Sequence, residues 1–215
     1  MQNTYHEAIQ TLKSGGVLLY PSDTIWGLGC DVRNELAIEK ILELKNIDKS
    51  FGDKLLLKDF SYQFQRGEKV GIVGKNGAGK NSLLRILAGL AQPDDGEVCW
   101  QQRPLSDSDF SQQLCFIGHL SGIQPQLTAL EHLEFWQAAF ALRSEDGYQV
   151  LARLGLAGLE DIPCQLLSAG QQRRVSLARL WLTTRPLWIL DEPFTALDQS
   201  AIGLLQQKFT AHLAT

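Results

Sequence analysis

The feature that most constrains this chain is a glycine-rich loop between a predicted strand and a predicted helix. The loop reads Gly74-Lys75-Asn76-Gly77-Ala78-Gly79-Lys80 and fits the pattern G-x-x-x-x-G-K. It follows the apolar run 69–73, which predicts a strand, and it precedes residues 82–88, which predict a helix. Glycines let successive backbone N–H groups converge on phosphate oxygens, the helix dipole favours an anion, and Lys80 adds a positive charge. The sequence therefore predicts a phosphate-binding loop within an α/β fold.

The position after the lysine departs from this pattern. A Ser or Thr hydroxyl would ligate Mg²⁺ there, but this chain has Asn81, with Ser82 one place later. An amide oxygen can coordinate a hard cation, yet it lies farther out on a longer side chain, and Mg²⁺ tolerates little distortion from octahedral geometry. We therefore predict a weakened Mg²⁺ site at Asn81 and slow turnover.

A second apolar run, residues 187–190, ends in the acids Asp191 and Glu192. It predicts a strand buried on both faces of a parallel sheet, and ligands bind at the carboxyl ends of such strands. Asp191 is then expected to hold Mg²⁺, and Glu192 to polarise an attacking water. An acidic pair at a strand end is more often simply solvated, but its place after a phosphate loop favours the functional interpretation.

Between these motifs, the segment Leu167-Ser168-Ala169-Gly170-Gln171 predicts the start of a helix, with Ser168 as N-cap and Gln171 at the reciprocal position. The plainer interpretation is a capped helix with a basic exposed face over 172–179. A capped helix start is also a phosphate site. A similar capping box at Thr128–Glu131 opens a helical stretch, which predicts an inserted helical lobe over about 127–183.

Composition limits the partners and the compartment. The 215 residues carry a formal charge of -4, so no general basic field is available and no nucleic-acid partner is expected. The four cysteines are widely spaced, which is typical of buried apolar side chains in a reducing, cytoplasmic compartment. No apolar run reaches the ~18 to 20 residues of a spanning helix, so a membrane would be reached through a partner.

The first 45 residues have their own pattern. Residues 5–13 predict a helix, 17–20 a strand and 34–45 a second helix, which together give a short αβα segment. A unit of this size rarely buries enough surface to fold alone.

The phosphate loop, the LSAGQ segment and the run Asp191-Glu192-Pro193, followed by Asp198, together resemble the ABC-type ATPase family. The resemblance implies a P-loop NTPase fold of the ABC ATPase type, with a parallel core sheet, antiparallel strands and an inserted helical lobe. It implies ATP and Mg²⁺ as cofactors. It also implies a homodimer with composite nucleotide sites, in which Ser168 and Gly170 of one subunit contact the γ-phosphate held by Lys80 of the other.

This family assigns further roles by resemblance. Phe51 is expected to stack on adenine, and Asp198 is expected near the dimer seam. The residues expected at the nucleotide are Phe51, Gly74, Asn76, Gly77, Ala78, Gly79, Lys80, Asn81, Ser82, Ser168, Gly170 and Gln171. The expected catalytic residues are Lys80, Glu192 and Asp198, and the expected metal ligands are Asp191 and Asn81.

Three sources are indicated along the chain. Residues 76–215 resemble the haem-exporter ATP-binding subunit of cytochrome c maturation, and residues 41–75 resemble the translation-associated, duplicated ABC proteins. Residues 1–46, through the run from Tyr20 to Asp31, resemble the threonylcarbamoyl-AMP synthases. We therefore predict a chimera with a synthase-like fragment over 1–40 and an ABC ATPase domain over 41–215. The segment 41–45 satisfies both patterns, as a helix end or as a first strand.

The ATPase part departs from its family at two further places. Where a glutamine often senses Mg²⁺ and the membrane partner, this chain has His119-Leu120-Ser121, which leaves His119 or Gln124 as imperfect candidates. The chain also stops before the strand and switch histidine that normally follow Asp198, so we expect a C-terminally truncated domain. His212 fits a helical pattern and is not that histidine.

Three functions remain as hypotheses. The first is the ATP-hydrolysing subunit of a haem-export ABC transporter, cytoplasmic and held at the inner face of the membrane by integral membrane subunits. The second is a binding-only or inactive chimera, because Asn81 and the missing histidine impair turnover. The third is a fragment of a threonylcarbamoyl-AMP synthase-related enzyme, which lacks most of that fold.

Overall fold

The computed structural model describes residues 17–21, 26–29, 40–65, 68–75, 77–119, 122–140 and 145–213. It divides the chain into two compact units, Met1–Ser111 and Gln112–Thr215. The predicted helix 5–13, the first part of the predicted helix 34–45, and the loop residue Asn76 lie outside the described residues.

The first unit is built mainly from strands. Its elements are β1 (Val17–Pro21), β2 (Trp26–Gly29), β3 (Lys40–Phe51), β4 (Lys54–Gln65), β5 (Val70–Gly71), α1 (Lys80–Leu87), β6 (Asp95–Trp100), β7 (Arg103–Pro104) and a 3-10 turn (Leu105–Asp107). The boundary between the units falls inside the short helix α2 (Phe110–Gln113).

The predicted strand at 17–20 is present, and it pairs on both sides. β1 runs antiparallel to β2, from Leu18 opposite Gly29 to Pro21 opposite Trp26. It also runs parallel to β5, with Val17 opposite Val70. The order β2-β1-β5 therefore places this hairpin beside the strand that leads into the phosphate loop. That strand, β5, is shorter than the predicted run 69–73.

The structure settles one open prediction for the first unit and corrects another. The segment 41–45, predicted as a helix end or as a first strand, is strand from Lys40 onward, because β3 pairs with both β4 and β6 and these ladders outweigh the local helical pattern. The two short strands predicted at 54–57 and 60–64 form one strand, β4. Its register against β3 shifts near Ile47. There Asn46 donates to Asp59 Oδ1 at 2.6 Å and to Ser61 Oγ at 2.8 Å, which satisfies the irregular stretch.

The β4-β3-β6-β7 sheet requires a glycine at one crossing. Gly96 has a φ of +85°, and a Cβ placed there would lie 2.3 Å from the carbonyl oxygen of Lys45. Only glycine allows the two backbones to approach this closely. The buried apolar side chains of this unit are Leu42, Leu44, Ile47, Leu83, Ile86, Leu87, Ala88, Val98, Cys99, Trp100 and Phe110.

The second unit is mainly helical, as the sequence predicts. Its elements are β8 (Leu114–Ile117), α3 (Ala129–Phe140), α4 (Gly147–Arg153), a 3-10 turn (Cys164–Leu166), α5 (Ala169–Leu177), α6 (Arg179–Leu182), β9 (Leu187–Leu190) and α7 (Gln199–Leu213). Both predicted capping boxes are present. Thr128 N–H donates to Glu131 at 2.8 Å, and Ser168 N–H donates to Gln171 at 2.8 Å.

The predicted strand at 187–190 is present and pairs in parallel with β8. It is not buried on both faces as predicted: Ile189 is buried, and the other three residues are half-buried. The apolar core of this unit gathers around α3, α5 and α6 and includes Leu133, Trp136, Leu151, Val175 and Leu180. Among the described cysteines, Cys99, Cys115 and Cys164 are free and buried, as predicted.

No helix among the described residues combines the length and the apolar character needed to cross a membrane.

Candidate functional site: a phosphate loop and an acidic strand end

The phosphate loop leads directly into α1. Gly77 and Gly79 have φ values of +78° and +91°, which L side chains rarely adopt, and Ala78 N–H donates to the Lys75 carbonyl at 3.1 Å. A Cβ on Gly79 would also lie 3.2 Å from Leu56 Cβ. No side chain of the described residues caps α1, whose N-cap is Gly79. The first N–H groups of this helix are therefore available to an anion.

Lys80 is the first residue of α1, and its side chain folds back over the loop. Its Nζ donates to the Gly74 carbonyl at 2.6 Å and to the Lys75 carbonyl at 3.0 Å. These bonds keep the ammonium at the loop, where it can exchange a carbonyl for a phosphate oxygen. The loop, the uncapped helix start and the lysine thus fit a phosphate chain.

A second lysine reaches the same loop, and the sequence analysis missed it. Lys54, at the start of β4, donates to the Gly77 carbonyl at 2.7 Å. This contact ties the turn after β3 to the phosphate loop. Phe51 ends β3 and is 80% exposed, so its ring is available for stacking. Phe51 pairs with Lys54 across this turn, so the turn that carries Phe51 is tied to the loop. The contact made by Lys54 could be inferred only from the position of the turn in the fold.

The two predicted metal ligands supply oxygen donors. Asn81 is an exposed residue in the first turn of α1, and Asp191 is a buried residue directly after β9. They belong to different units. Among the described residues, no group of three or more His, Cys, Asp or Glu side chains could hold a metal by itself. Mg²⁺ commonly takes one or two protein oxygens and completes its shell with water and phosphate, so an amide oxygen such as that of Asn81 and a carboxylate such as that of Asp191 are each a donor type that suits it.

Asp191 and Glu192, at the end of β9 in the second unit, make several contacts. Asp191 N–H donates to the Ile117 carbonyl at 2.9 Å and extends the β8–β9 pairing by one residue. Glu192 follows with a φ of +47°, a strained conformation for a side chain of this size. Its carboxylate lies 3.4 Å from His119 Nδ1 and accepts from Thr195 Oγ1 at 3.3 Å.

Arg173 organises this end of the sheet, and the sequence analysis missed its role. It was predicted to lie on a basic exposed face of α5, which is wrong, because Arg173 is only 7% exposed. Its guanidinium donates to the carbonyls of Gly118, Asp191 and Glu192. Burial lowers the pKa of Arg173 from its ordinary value. Nothing in the local sequence separates this arginine from the half-buried Arg174 and Arg179, because its partners are distant along the chain.

The LSAGQ segment begins α5 as predicted. The side chains of Ser168 and Gln171 cap each other's backbone N–H groups. Gly170 lies against a neighbouring loop, since a Cβ there would lie 2.7 Å from the Ala196 carbonyl oxygen. A glycine is therefore required at this position for packing alone, whatever else it contacts.

Asp198 lies beyond the acidic pair, at the start of α7. It accepts from the backbone N–H of Ala201 at 2.9 Å and forms an ion pair with Arg174. The hydrogen bond from the Ala201 N–H lowers the pKa of the Asp198 carboxyl, and the positive charge of Arg174 lowers it further. The predicted helical position of His212 is confirmed: it lies in α7 and stacks on Trp188 with ring centroids 3.7 Å apart.

The structure therefore groups the predicted site residues into two sets. Phe51, the phosphate loop, Asn81 and Ser82 belong to the first unit, while the LSAGQ segment, the acidic pair and Asp198 belong to the second. Gln124, one of the two candidate sensing residues, contributes its backbone N–H and carbonyl to contacts with the buried His132 ring. The other candidate, His119, lies at Glu192.

Comparison with known families supports two origins. The ABC transporter family matches residues 57–195. A second family, described as Telomere recombination, matches residues 10–62 and overlaps the first by a few residues. The predicted resemblance of the N-terminal part to a separate family is thus confirmed, and the match extends beyond residue 46.

Individual proteins agree with the first of these families. The cytochrome c biogenesis ATP-binding export protein CcmA of Vibrio cholerae is 47% identical over 176 residues, which cover 80% of this chain and 85% of that protein. A solved ATP binding subunit of an ABC transporter has a TM-score of 0.71 at 26% identity and covers 81% of this chain and 75% of its own. A dimeric, post-hydrolysis structure of the ATP-binding cassette MJ0796 bound to ADP and Pi has a TM-score of 0.68 at 26% identity, over 80% and 84% of the two chains.

These neighbours confirm the predicted ABC ATPase fold. Because the family match spans more than half of the chain and the CcmA relative matches it along most of both lengths, this chain belongs to the ABC transporter family as one of its ATP-binding proteins.

Proposed function

We propose that this chain binds ATP at the loop from Gly74 to Lys80 and hydrolyses it, with Glu192 polarising the attacking water. The observation that carries the proposal is the start of α1, where a helix without a side-chain cap begins at Lys80 behind two glycines of positive φ. Such a start offers N–H groups and a lysine to the same phosphate chain. Phe51, exposed at the end of β3 in the same unit, is the residue that we propose stacks on the base.

In the hydrolytic step, water attacks the γ-phosphorus, its proton passes to the Glu192 carboxylate, and ADP leaves with the electron pair of the broken P–O bond. Lys80 stabilises the charge that develops on the phosphate oxygens. Asp191 and Asn81 are the residues that would hold Mg²⁺, which would supply positive charge to the phosphates when bound. The hydrogen bonds that fix the Asp191 backbone to Ile117 and Arg173 support its part in this proposal.

The partners follow from the relatives. The Vibrio cholerae protein is named an ATP-binding export protein of cytochrome c biogenesis, and its 47% identity supports the same role here, namely driving haem export. We propose that two copies of this chain close on ATP, with Ser168, Gly170 and Gln171 of one copy facing the phosphate loop of the other. Integral membrane subunits would hold the pair at the cytoplasmic face of the membrane. The dimeric structure of MJ0796 bound to ADP and Pi supports the pairing of two copies.

A binding-only protein is the second candidate, and Asn81 is the observation that favours it. The amide occupies the first turn of α1, where a shorter hydroxyl would bring its oxygen to Mg²⁺. Such a chain would bind ATP normally and release phosphate very slowly.

Replacing Glu192 by Gln separates these candidates. We expect Glu192→Gln to lower the rate of phosphate release about 100-fold or more, since general base catalysis contributes about that factor, while ATP affinity stays unchanged. The matched control is Glu134→Gln, an exposed glutamate on α3. Hydrolysis that is equally fast in wild type and Glu192→Gln would contradict the assignment of the base. ATP binding with no phosphate release in the wild type would favour the binding-only candidate.

A further inference from the structure

We propose that Arg173 is a positioning residue for ATP hydrolysis, whose guanidinium sets the Glu192 carboxylate against His119. This inference rests on the proposed function, because it assigns a purpose to a contact made at the proposed catalytic base. It concerns the second unit alone, so every contact in the argument lies within one compact part of the chain.

The guanidinium of Arg173 joins three separate segments. One terminal nitrogen donates to the Gly118 carbonyl at 3.1 Å. The other donates to the carbonyls of Asp191 at 2.7 Å and Glu192 at 3.0 Å. Gly118 directly precedes His119, and Asp191 directly precedes Glu192. One side chain on α5 therefore fixes the backbone on both sides of the His119–Glu192 contact.

The burial of Arg173 makes this arrangement specific. The side chain is only 7% exposed, and its Nε has no hydrogen-bond partner among the described residues. All three of its hydrogen bonds go to main-chain carbonyls, so the side chain holds the backbone of these segments in place. The rigid fork of the guanidinium can meet two adjacent carbonyls and a third from another strand, which a lysine ammonium cannot do in one plane.

The arrangement bears directly on Glu192. This residue has a φ of +47° and therefore needs surrounding contacts to hold its backbone. Its carbonyl accepts from both Arg173 and the Thr195 N–H, at 3.0 and 3.1 Å. With the backbone fixed, the carboxylate lies 3.4 Å from His119 Nδ1. A displacement of about 1 Å at such a position is enough to lower a rate by about 100-fold.

Arg185 provides a matched control within the same unit. Its guanidinium donates to the Leu114 carbonyl at 2.6 Å and to the Phe140 carbonyl at 3.5 Å, so it is also an arginine bound to main-chain oxygens. Arg185 binds the carbonyl of the first residue of β8, Leu114, whereas Arg173 binds the carbonyl of Gly118, directly after the last residue of β8. Loss of Arg185 should therefore cost similar stability at the opposite end of the strand, away from Glu192.

The first test is kinetic and uses Arg173→Met, which retains the aliphatic volume and removes the three bonds. We expect kcat to fall about tenfold or more, with the KM for ATP within about twofold of wild type. Arg185→Met should leave both constants unchanged, and Arg173→Lys should recover part of kcat. An equal loss in both methionine variants, or a rise in KM that accounts for the whole effect, would overturn the proposal.

The second test needs no hydrolysis, so it separates this proposal from the proposed function. The ring signal of His119 in a carbon–proton NMR spectrum, assigned with His119→Gln, reports on the neighbouring carboxylate. We expect Glu192→Gln and Arg173→Met each to shift it, and Arg185→Met to leave it in place. Where Arg173→Met does not fold, Arg173→Lys is measured instead. A His119 signal that does not move in the Arg173 variant would overturn the proposal, as would a fold that tolerates Arg185→Met but neither Arg173 variant.

Discussion

At the scale of single residues, the two ends of the proposed reaction are held differently. The phosphate loop depends on glycines whose φ values exclude most side chains, so its conformation is set by residue types within the loop. Glu192 instead keeps its strained backbone through a local turn closed by the Thr195 N–H and through Arg173, which is distant along the chain. The first kind of feature can be found in a sequence motif, and the second requires the fold.

Asn81→Thr tests the residue at which this chain departs from its family. A threonine would place a hydroxyl oxygen on a shorter side chain at the first turn of α1, which suits the octahedral shell of Mg²⁺. We expect Mg²⁺-dependent ATP hydrolysis to rise at least about tenfold, because one metal interaction contributes several kcal/mol to charge stabilisation. The measurement is phosphate release at varied Mg²⁺ concentration, with Ser111→Thr, at an exposed position of α2, as the control. Hydrolysis no faster than wild type would contradict the account of Asn81.

The buried His132 predicts how the stability of the fold depends on pH. Burial lowers the pKa of this imidazole, whose Nδ1 has no hydrogen-bond partner among the described residues. A folded-state pKa below the unfolded one means that the unfolded chain binds the proton first. Stability is therefore complete above about pH 6.5 and is lost as the pH falls below that value, by up to about 1.4 kcal/mol per pH unit for one group. His212, whose pKa is also lowered by burial, acts in the same direction.

Urea unfolding at pH 7.5 and 5.5 measures this effect. The wild type should be less stable at the lower pH, and His132→Gln should lose less stability between the two values than the wild type does. The glutamine side chain keeps a polar group for Gln124 but does not titrate. Equal losses in wild type and variant would show that His132 does not titrate as described.

Sequence reasoning singled out candidate residues that belong to compact motifs. The glycines of the loop, Lys80 and the acidic pair were found because their spacing along the chain carries the information. Arg173 and Lys54 were missed because each acts on a carbonyl more than 15 residues away, and a carbonyl is common to every residue type. Their roles are set by tertiary packing, so no local pattern distinguishes them.

At the scale of elements, the hairpin β1–β2 joins segments matched by two different families. It belongs to the segment matched by the second family, yet β1 pairs with β5, which leads into the phosphate loop. β5 has only two residues, so a neighbouring strand is a substantial part of its support. Local pattern predicted β1 correctly. It left residues 41–45 open between a helix end and a strand, and pairing with two other strands decides for the strand.

Deleting residues 1–30 tests whether the hairpin supports the loop. We expect the melting temperature to fall by about 4 °C or more, because several ladder hydrogen bonds of about 1 kcal/mol each are lost, and ATP affinity to fall with it. The control deletion of residues 1–12 keeps both strands and should behave as wild type. A shortened chain with unchanged melting temperature and unchanged ATP affinity would show that the hairpin makes no such contribution.

At the scale of the whole molecule, the phosphate loop lies in one compact unit and the acidic pair in the other. Fold class was predictable because a strand–loop–helix motif, a helical lobe and a strand ending in two acids occur in an order typical of one family. The join between the two families was predictable from motif resemblance, but the pairing of β1 with β5 was not. That pairing depends on a contact between segments that no single family contains.

Calorimetric titration of MgATP into the intact chain tests the central claim most directly. The account predicts saturable binding, and a loss of affinity of about tenfold to 100-fold in Lys80→Ala, since a hydrogen bond from a charged group is worth about 1.5 to 3 kcal/mol. Lys75→Ala, which removes a neighbouring lysine side chain from the same loop, is the control and should bind nearly as well as wild type. No uptake of ATP by the folded wild-type chain, or equal affinity in Lys80→Ala, would contradict the claim.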